Sequence, residues 1–487
     1  MSDPFPAPVY AETVLIHNFE DAKKYFLGAL LEIHFAHTRM LAGCGLLTRE
    51  EESKLLAALH GLDRDRIAAG KFDGAYEDLF FFIEGLLEEA AGRDLAGKMH
   101  TARSRNDIAV TLYRMAARRE ILGTARAVAE LRSMLLELAS GHVATVMPAH
   151  THTQPAQPTT LAHYLLAAIE FLARDSARLQ TAFARVNLSP MGAAAITTTG
   201  FPIDRDATAR LLGFDGLAEN SYGAIAAIDY ITETAAAVAV AMVNLGKLVQ
   251  DLLLWSTREF GYLRLSDAFV QSSSIMPQKR NPVALEHVRI LASRALGEAQ
   301  AVLTCAHNTP FGDVNDSEDD LQPLVFTMFA DARRALRLLA GALGTAQVDT
   351  AIMADRARRN FLTVTELADT LVRREGLSFR EAHALVAEAV KACGASDDPA
   401  ALAAALQKSR PALRLTREEI ERCLDPENFV QVRNVTGGPA AERTSAAMGR
   451  AGAEQRRIEV WISSTEASLD AARAAVTAGP TSPASLP

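Results

Sequence analysis

Apolar positions recur at helical spacing along most of the chain. Within residues 107–139 they fall at Ile108, Leu112, Met115, Leu122, Val128, Leu131 and Leu135, a pattern that predicts one long helix. Further long helices are predicted from about Leu161 to Val186 and over about 223–260, 283–305 and 320–345. The helix over 223–260 has almost no charge at its centre, where residues 235–242 read AlaAlaAlaValAlaValAlaMet. A helix apolar on nearly every side is buried by several neighbours, not by one. Residues 12–110 read as short to medium helices. Thr48, followed by Glu50, Glu51 and Glu52, predicts a helix start with a hydroxyl cap and acids in the first turn. Beyond about residue 350 the predicted helices become shorter and more charged, with a loop at 425–440. Residues 476–487 read as a disordered tail.

Abundant alanine and leucine with few aromatic residues favour helix, so the fold class is all-α. A chain of 487 residues exceeds one core, and the changes of pattern suggest three helical domains, over 1–110, 111–350 and 351–487. Long apolar helices would leave large bare patches on a monomer, which a multi-subunit bundle would cover.

The net charge of −9 argues against nucleic acid as a main partner, because phosphate binding needs a basic face. Cys44, Cys305, Cys393 and Cys423 form no CxxC pair and no disulfide framework, so a reducing cytoplasm is expected. The N-terminus lacks the pattern of a signal peptide. The most apolar run, 234–246, is too short to span a bilayer, and no membrane partner is expected. There is no HExxH, no paired CxxC and no strand–GxGxxG–helix unit, so neither metal nor cofactor is expected. The acids at 313–320 lack EF-hand spacing and read as a solvated or substrate-facing loop.

Three polar segments interrupt the apolar pattern. HisThrAlaArgSerArgAsnAsp (100–107) packs guanidiniums, hydroxyls and a carboxamide just before a helix, which suits a carboxylate or phosphate. It could equally be a capped, solvated helix start. Thr151, His152, Gln154 and Gln157 lie in a proline-stiffened loop; a lone histidine is more often structural, but four polar groups together point to a site. SerSerSerIleMetProGlnLysArgAsnPro (272–282) sits between two long helices. Flexible serine linkers do not carry Met-Pro-x-Lys, and the pattern suits a mobile loop delivering a hydroxyl to a substrate held by Lys279 and Asn281.

Ser-Ser-x-Met-Pro-x-Lys-x-Asn over 273–281 resembles the signature of the fumarase/aspartase superfamily. Segments 100–107 and 150–158 resemble the two other conserved regions of argininosuccinate lyase. So do AsnSer at 220–221 with Asp229, and residues 366–373, 379–383 and 432–438. The similarity spans roughly residues 40–440. It implies a 20-helix core in a homotetramer, active sites built from different subunits, and reversible release of fumarate from an N-substituted aspartate. Position by position, it implies that Ser273 is the base that takes the Cβ proton, beside Ser274 as a substrate contact. Lys279 and Asn281 would hold the reacting carboxylate; Ser104, Arg105, Asn106 and Thr151 would touch substrate; His152 would pair with Glu286. A serine hydroxyl is a poor base, so its alkoxide needs stabilisation by Lys279 and by backbone N–H groups.

The amine side departs from the family pattern. An ungapped count places Phe19 and Lys23 where the family carries a Ser-x-x-x-Asp pair facing the arginine portion. Glu77 and Asp78 are kept, Phe80 replaces a usual histidine, residues 310–320 replace Tyr-Asn-x-Asp-x-Gln-Glu-Asp, and residues 226–228 replace Ser-Asp-Arg. A lysine opposite a cation repels it. An aminopolycarboxylate such as ethylenediamine-disuccinate is therefore an alternative substrate to argininosuccinate. Adenylosuccinate cleavage, a cycloisomerase and a crystallin-like structural protein are the rival classes. The first two fit segments 100–107 and 150–158 less well, and the last need not keep Ser273, Lys279, Asn281, His152 and Glu286 together.

Overall fold

A computed structural model describes residues 5–479. Five long helices make the centre: α1 (Arg105–Ser140), α2 (Leu161–Val186), α3 (Asp229–Trp255), α4 (Val283–Ala306) and α5 (Gln322–Leu343). Helix α4 packs along both α3 and α5, α1 along α2 and α5, and α3 also along α2. Their inward faces share one apolar core, in which Ile121, Leu131, Ile169, Leu245, Val288 and Leu336 are buried. The all-α expectation holds. Among the described residues the strands form only two-stranded pairs, the largest being β1 (Val146–Thr151) with β2 (Gln154–Thr160).

Two features differ from the sequence reading. The helices do not simply shorten toward the C-terminus, because α6 (Ala441–Val476) runs for 36 residues and packs on α1 and α2. Its residues Ala451, Ile458 and Ile462 join the central core, and Val476, assigned above to the tail, is buried in an N-terminal cluster. Alanine and polar residues fill most of this helix, and its sparse stripe of large apolar residues conceals that role from pattern reading. The rest of the expected tail, from 480, lies outside the described residues. Secondly, the apolar run over 234–246 belongs to a helix of 27 residues, which is long and apolar enough to cross a membrane. The argument from length therefore fails, and it is packing against α2, α4 and α5 that places α3 in the bundle.

Two smaller cores flank the bundle. One gathers helices between Phe19 and Met99 and draws in Ile108 and Met115 from α1. There Thr48 caps its helix as expected, in a reciprocal box with Glu51. The other lies between Phe361 and Leu424.

Candidate active site

The 100–107 segment ends in an N-cap. Ser104 Oγ accepts from the Asn106 N–H at 3.4 Å, and the Ser104 N–H donates to Asp107 Oδ1 at 2.9 Å. The other oxygen of Asp107 accepts the N–H groups of Gly192 and Ala194 at 2.9 and 3.0 Å. Asp107 is wholly buried, and burial pushes its carboxyl up to about 6 against the pull of these three donors. It ties the start of α1 to the 189–194 segment, so Ser104, Arg105 and Asn106 stand together at the positive end of a 36-residue helix.

Arg105 and Asn106 line a cavity of about 350 Å³ with Glu77, Asp78, Asp313, Glu318 and Asp319. Arg105 pairs with Glu77 at 2.8 Å and Asp78 at 3.1 Å, and Asn106 Nδ2 donates to Asp313 at 2.5 Å. Burial, then the hydrogen bond and charge of Asp313, push Glu318 up to about 10. Tyr113 donates to Asp319 at 2.8 Å, and burial raises that carboxyl too.

This geometry corrects the reading of Lys23. Its ammonium turns away from the cavity, donates to the Gly70 carbonyl at 2.6 Å and pairs with Glu20 at 3.0 Å. Neighbouring Phe19 and Ala22 line the cavity, and Lys23 does not. With Glu318 protonated, the other four carboxyl groups still outnumber the one guanidinium and make the pocket hospitable to a cation. The inferred loss of cation-facing groups rested on sequence positions, which say nothing of the direction in which Lys23 points.

The 272–282 segment is a small loop with a pinched base. Gln271 pairs with Asn281 and Ser272 with Arg280 as antiparallel strands, and Arg280 is anchored by Asp267 and by the Leu265 carbonyl at 2.9 Å. Within the loop, Ser273 Oγ accepts the backbone N–H groups of Met276 at 3.0 Å and Ile275 at 3.3 Å. These are donors suited to an alkoxide. Lys279 and Asn281 line a separate cavity of about 940 Å³, Ser274 and Lys279 are exposed, and Ile275 at the tip is 86 % exposed.

The 147–160 stretch is a hairpin rather than an irregular loop. Thr151 pairs with Gln154 around a turn in which His152 and Thr153 have φ of 52° and 61°. Left-handed φ at both central residues is normally left to Asn or Gly, so pattern reading had no turn signal to find. Thr151 and His152 are exposed at the tip, while Gln157 lines a third cavity of about 580 Å³ beside Arg433. Glu286 lies exposed in the first turn of α4 and makes no hydrogen bond with His152 in the same chain. One chain thus brings together Ser104 with Arg105 and Asn106, and Ser273 with Ser274, Lys279 and Asn281. It leaves the three segments in separate cavities.

The chain matches the family model described as "Lyase" over residues 81–297 and the one described as "Argininosuccinate lyase C-terminal" over 361–431. It is 44 % identical to argininosuccinate lyase 2 of Agrobacterium fabrum over 446 residues, covering 90 % of this chain and 88 % of that one. The chain belongs to the argininosuccinate lyase family. Another family member, the argininosuccinate lyase of Methanoculleus marisnigri, is 41 % identical over 93 % of this chain and 92 % of its own. Among solved structures, EDDS lyase in complex with formate superposes with a TM-score of 0.85 at 33 % identity, covering 98 % of this chain and 96 % of that one.

Sequence reasoning missed Asp107, which stood inside a quoted motif, and Tyr113, which gave no signal on a helix face. It left the acids of 313–320 undecided between solvent and substrate; Asp313, Glu318 and Asp319 line the pocket.

Proposed function

We propose that this carbon–nitrogen lyase splits argininosuccinate reversibly into arginine and fumarate. The observation that carries the substrate choice is the acidic cavity adjoining Arg105 and Asn106, since a guanidinium among carboxylates is favoured and a polycarboxylate is repelled.

In this reading Ser273, as its alkoxide, takes the Cβ proton of the succinyl part. The Ile275 and Met276 N–H groups and the Lys279 ammonium stabilise the oxyanion. Loss of that proton builds charge on the adjacent carboxylate, which Lys279 and Asn281 bind. The second carboxylate lies at the helix terminus among Ser104, Arg105, Asn106 and Thr151, and Ser274 contributes a further hydroxyl. The C–N bond then breaks anti to the departing proton, releasing fumarate, and the arginine portion occupies the acidic cavity. His152 and Glu286 pair across subunits, the carboxylate fixing the imidazole tautomer.

In this reading a homotetramer brings together the three segments that stand apart in one chain. Exposed Val240, Val243 and Leu254 on α3, with Ile290 and Leu303 on α4, are apolar surface that a bundle of neighbouring subunits would cover. A cytoplasmic location fits four unpaired cysteines.

Fumarate absorbance tests the reading on a panel of N-substituted aspartates. Turnover of argininosuccinate, lost by about 10²–10⁴-fold in S273A with the assembly intact, supports it. Preferential turnover of ethylenediamine-disuccinate would overturn the substrate assignment, and unchanged activity in S273A would remove Ser273 from the mechanism.

A further inference from the structure

Beneath the 100–107 segment lies a group of buried side chains that the elimination does not use. His34 and His37 are three residues apart on the Leu27–Gly43 helix, and both are wholly buried. Arg103 Nη1 donates to His34 Nδ1 at 2.8 Å. A guanidinium cannot accept, so His34 carries its lone pair on Nδ1 and its proton on Nε2. His37 Nε2 meets the Thr101 carbonyl at 2.9 Å, and a carbonyl can only accept, so His37 also carries its proton on Nε2. Arg103 is held in addition by Glu84 at 3.4 Å, which accepts from His100 Nδ1 at 3.0 Å, and its guanidinium lies 5.5 Å from the centre of the Phe80 ring.

The two histidines therefore grip the residues on either side of Ala102. That alanine has φ of 64°, a left-handed conformation that strains a residue with a Cβ. The turn at Ala102 sets the direction in which the chain enters Ser104 and α1.

We propose that His34 and His37 are positioning residues for the dicarboxylate site: by clamping Arg103 and Thr101 they hold the Ala102 turn left-handed and aim Ser104, Arg105 and Asn106 at substrate. This rests on the reading that those three residues contact the substrate. It also gives Phe80 a role, since an apolar ring there covers the Arg103–His34 contact.

The test is steady-state kinetics on argininosuccinate with the full-length protein. H34L removes the acceptor for Arg103 and should raise KM by about tenfold or more, with the helical circular-dichroism signal and assembly size retained. H34N keeps an oxygen where Nδ1 stood and should hold KM within about threefold of wild type. The distinguishing variant is A102G in the H34L background. Glycine adopts positive φ without strain, so it should recover most of the lost KM if the clamp acts through this turn. If H34L does not assemble, R103M with and without A102G is read in the same way. A KM unchanged in H34L, or unrescued by A102G, overturns the proposal while leaving the site intact. A KM unchanged in N106A overturns the site reading, and the proposal with it.

Discussion

Replacing His37 by Gln should change how the protein's stability responds to acid. The His37 ring is wholly buried beside the Arg103 guanidinium, and burial first, then that charge, lowers it from 6.5 to about 3. The sign follows from linkage. Below 6.5 the unfolded chain binds a proton at this imidazole and the native protein does not, so stability present above 6.5 is lost progressively as pH falls toward 3. At about pH 5 the loss amounts to about 1.5 pH units at about 1.36 kcal/mol each, or about 2 kcal/mol. The wild-type curve alone does not isolate this contribution. Burial pushes Asp107 and Asp175 up to about 6, so they take up protons in the native state first and stabilise it on acidification in the same window. A comparison of variants removes them. Glutamine's amide N–H reaches where Nε2 stood and keeps the bond to the Thr101 carbonyl, without a titrating group. Urea denaturation at about pH 7.5 and about pH 5 should show wild type losing about 2 kcal/mol more than H37Q between the two. A difference between the variants that is the same at both pH values would refute the reasoning.

Two further outcomes follow from the site. D107N puts an amide NH₂ against buried N–H donors of Ser104, Gly192 or Ala194, and should lower unfolding stability by about 1–3 kcal/mol, read as a fall in the urea midpoint; an unchanged midpoint would mean that Asp107 does not hold the cap. E77Q removes one half-exposed carboxylate from the acidic cavity, so KM for argininosuccinate should rise by no more than about fivefold while inhibition by succinate is unchanged; a matching loss of succinate affinity would place Glu77 on the wrong half of the site.

The long helices were legible because their apolar faces repeat over many turns, and α2 ends at Leu161 and Val186 as read. Helix α6 was not, because alanine and polar residues fill most of its 36 positions and only a few large apolar residues, among them Ile458 and Ile462, reach the core. The hairpin at 146–160 was missed for a different reason: its turn uses His152 and Thr153 in left-handed backbone without glycine. For the site, the motifs pointed to the residues but not to their directions. Lys23 occupies the expected stretch of helix and faces Gly70 and Glu20, which only the packing of that helix decides. The carboxylates of 313–320 show the converse, since a run of acids reads equally as solvated or substrate-facing until Arg105, Asn106 and Tyr113 are seen around it.

Mixing two inactive proteins tests most directly whether the site is shared between subunits. S273A and H152A, each purified alone, should be nearly inactive. Dissociated and reassembled together, they should form hybrids in which some sites draw an intact Ser273 from one subunit and an intact His152 from another, and fumarate formation from argininosuccinate should return. A mixture that reassembles fully yet stays as inactive as its components would contradict the account.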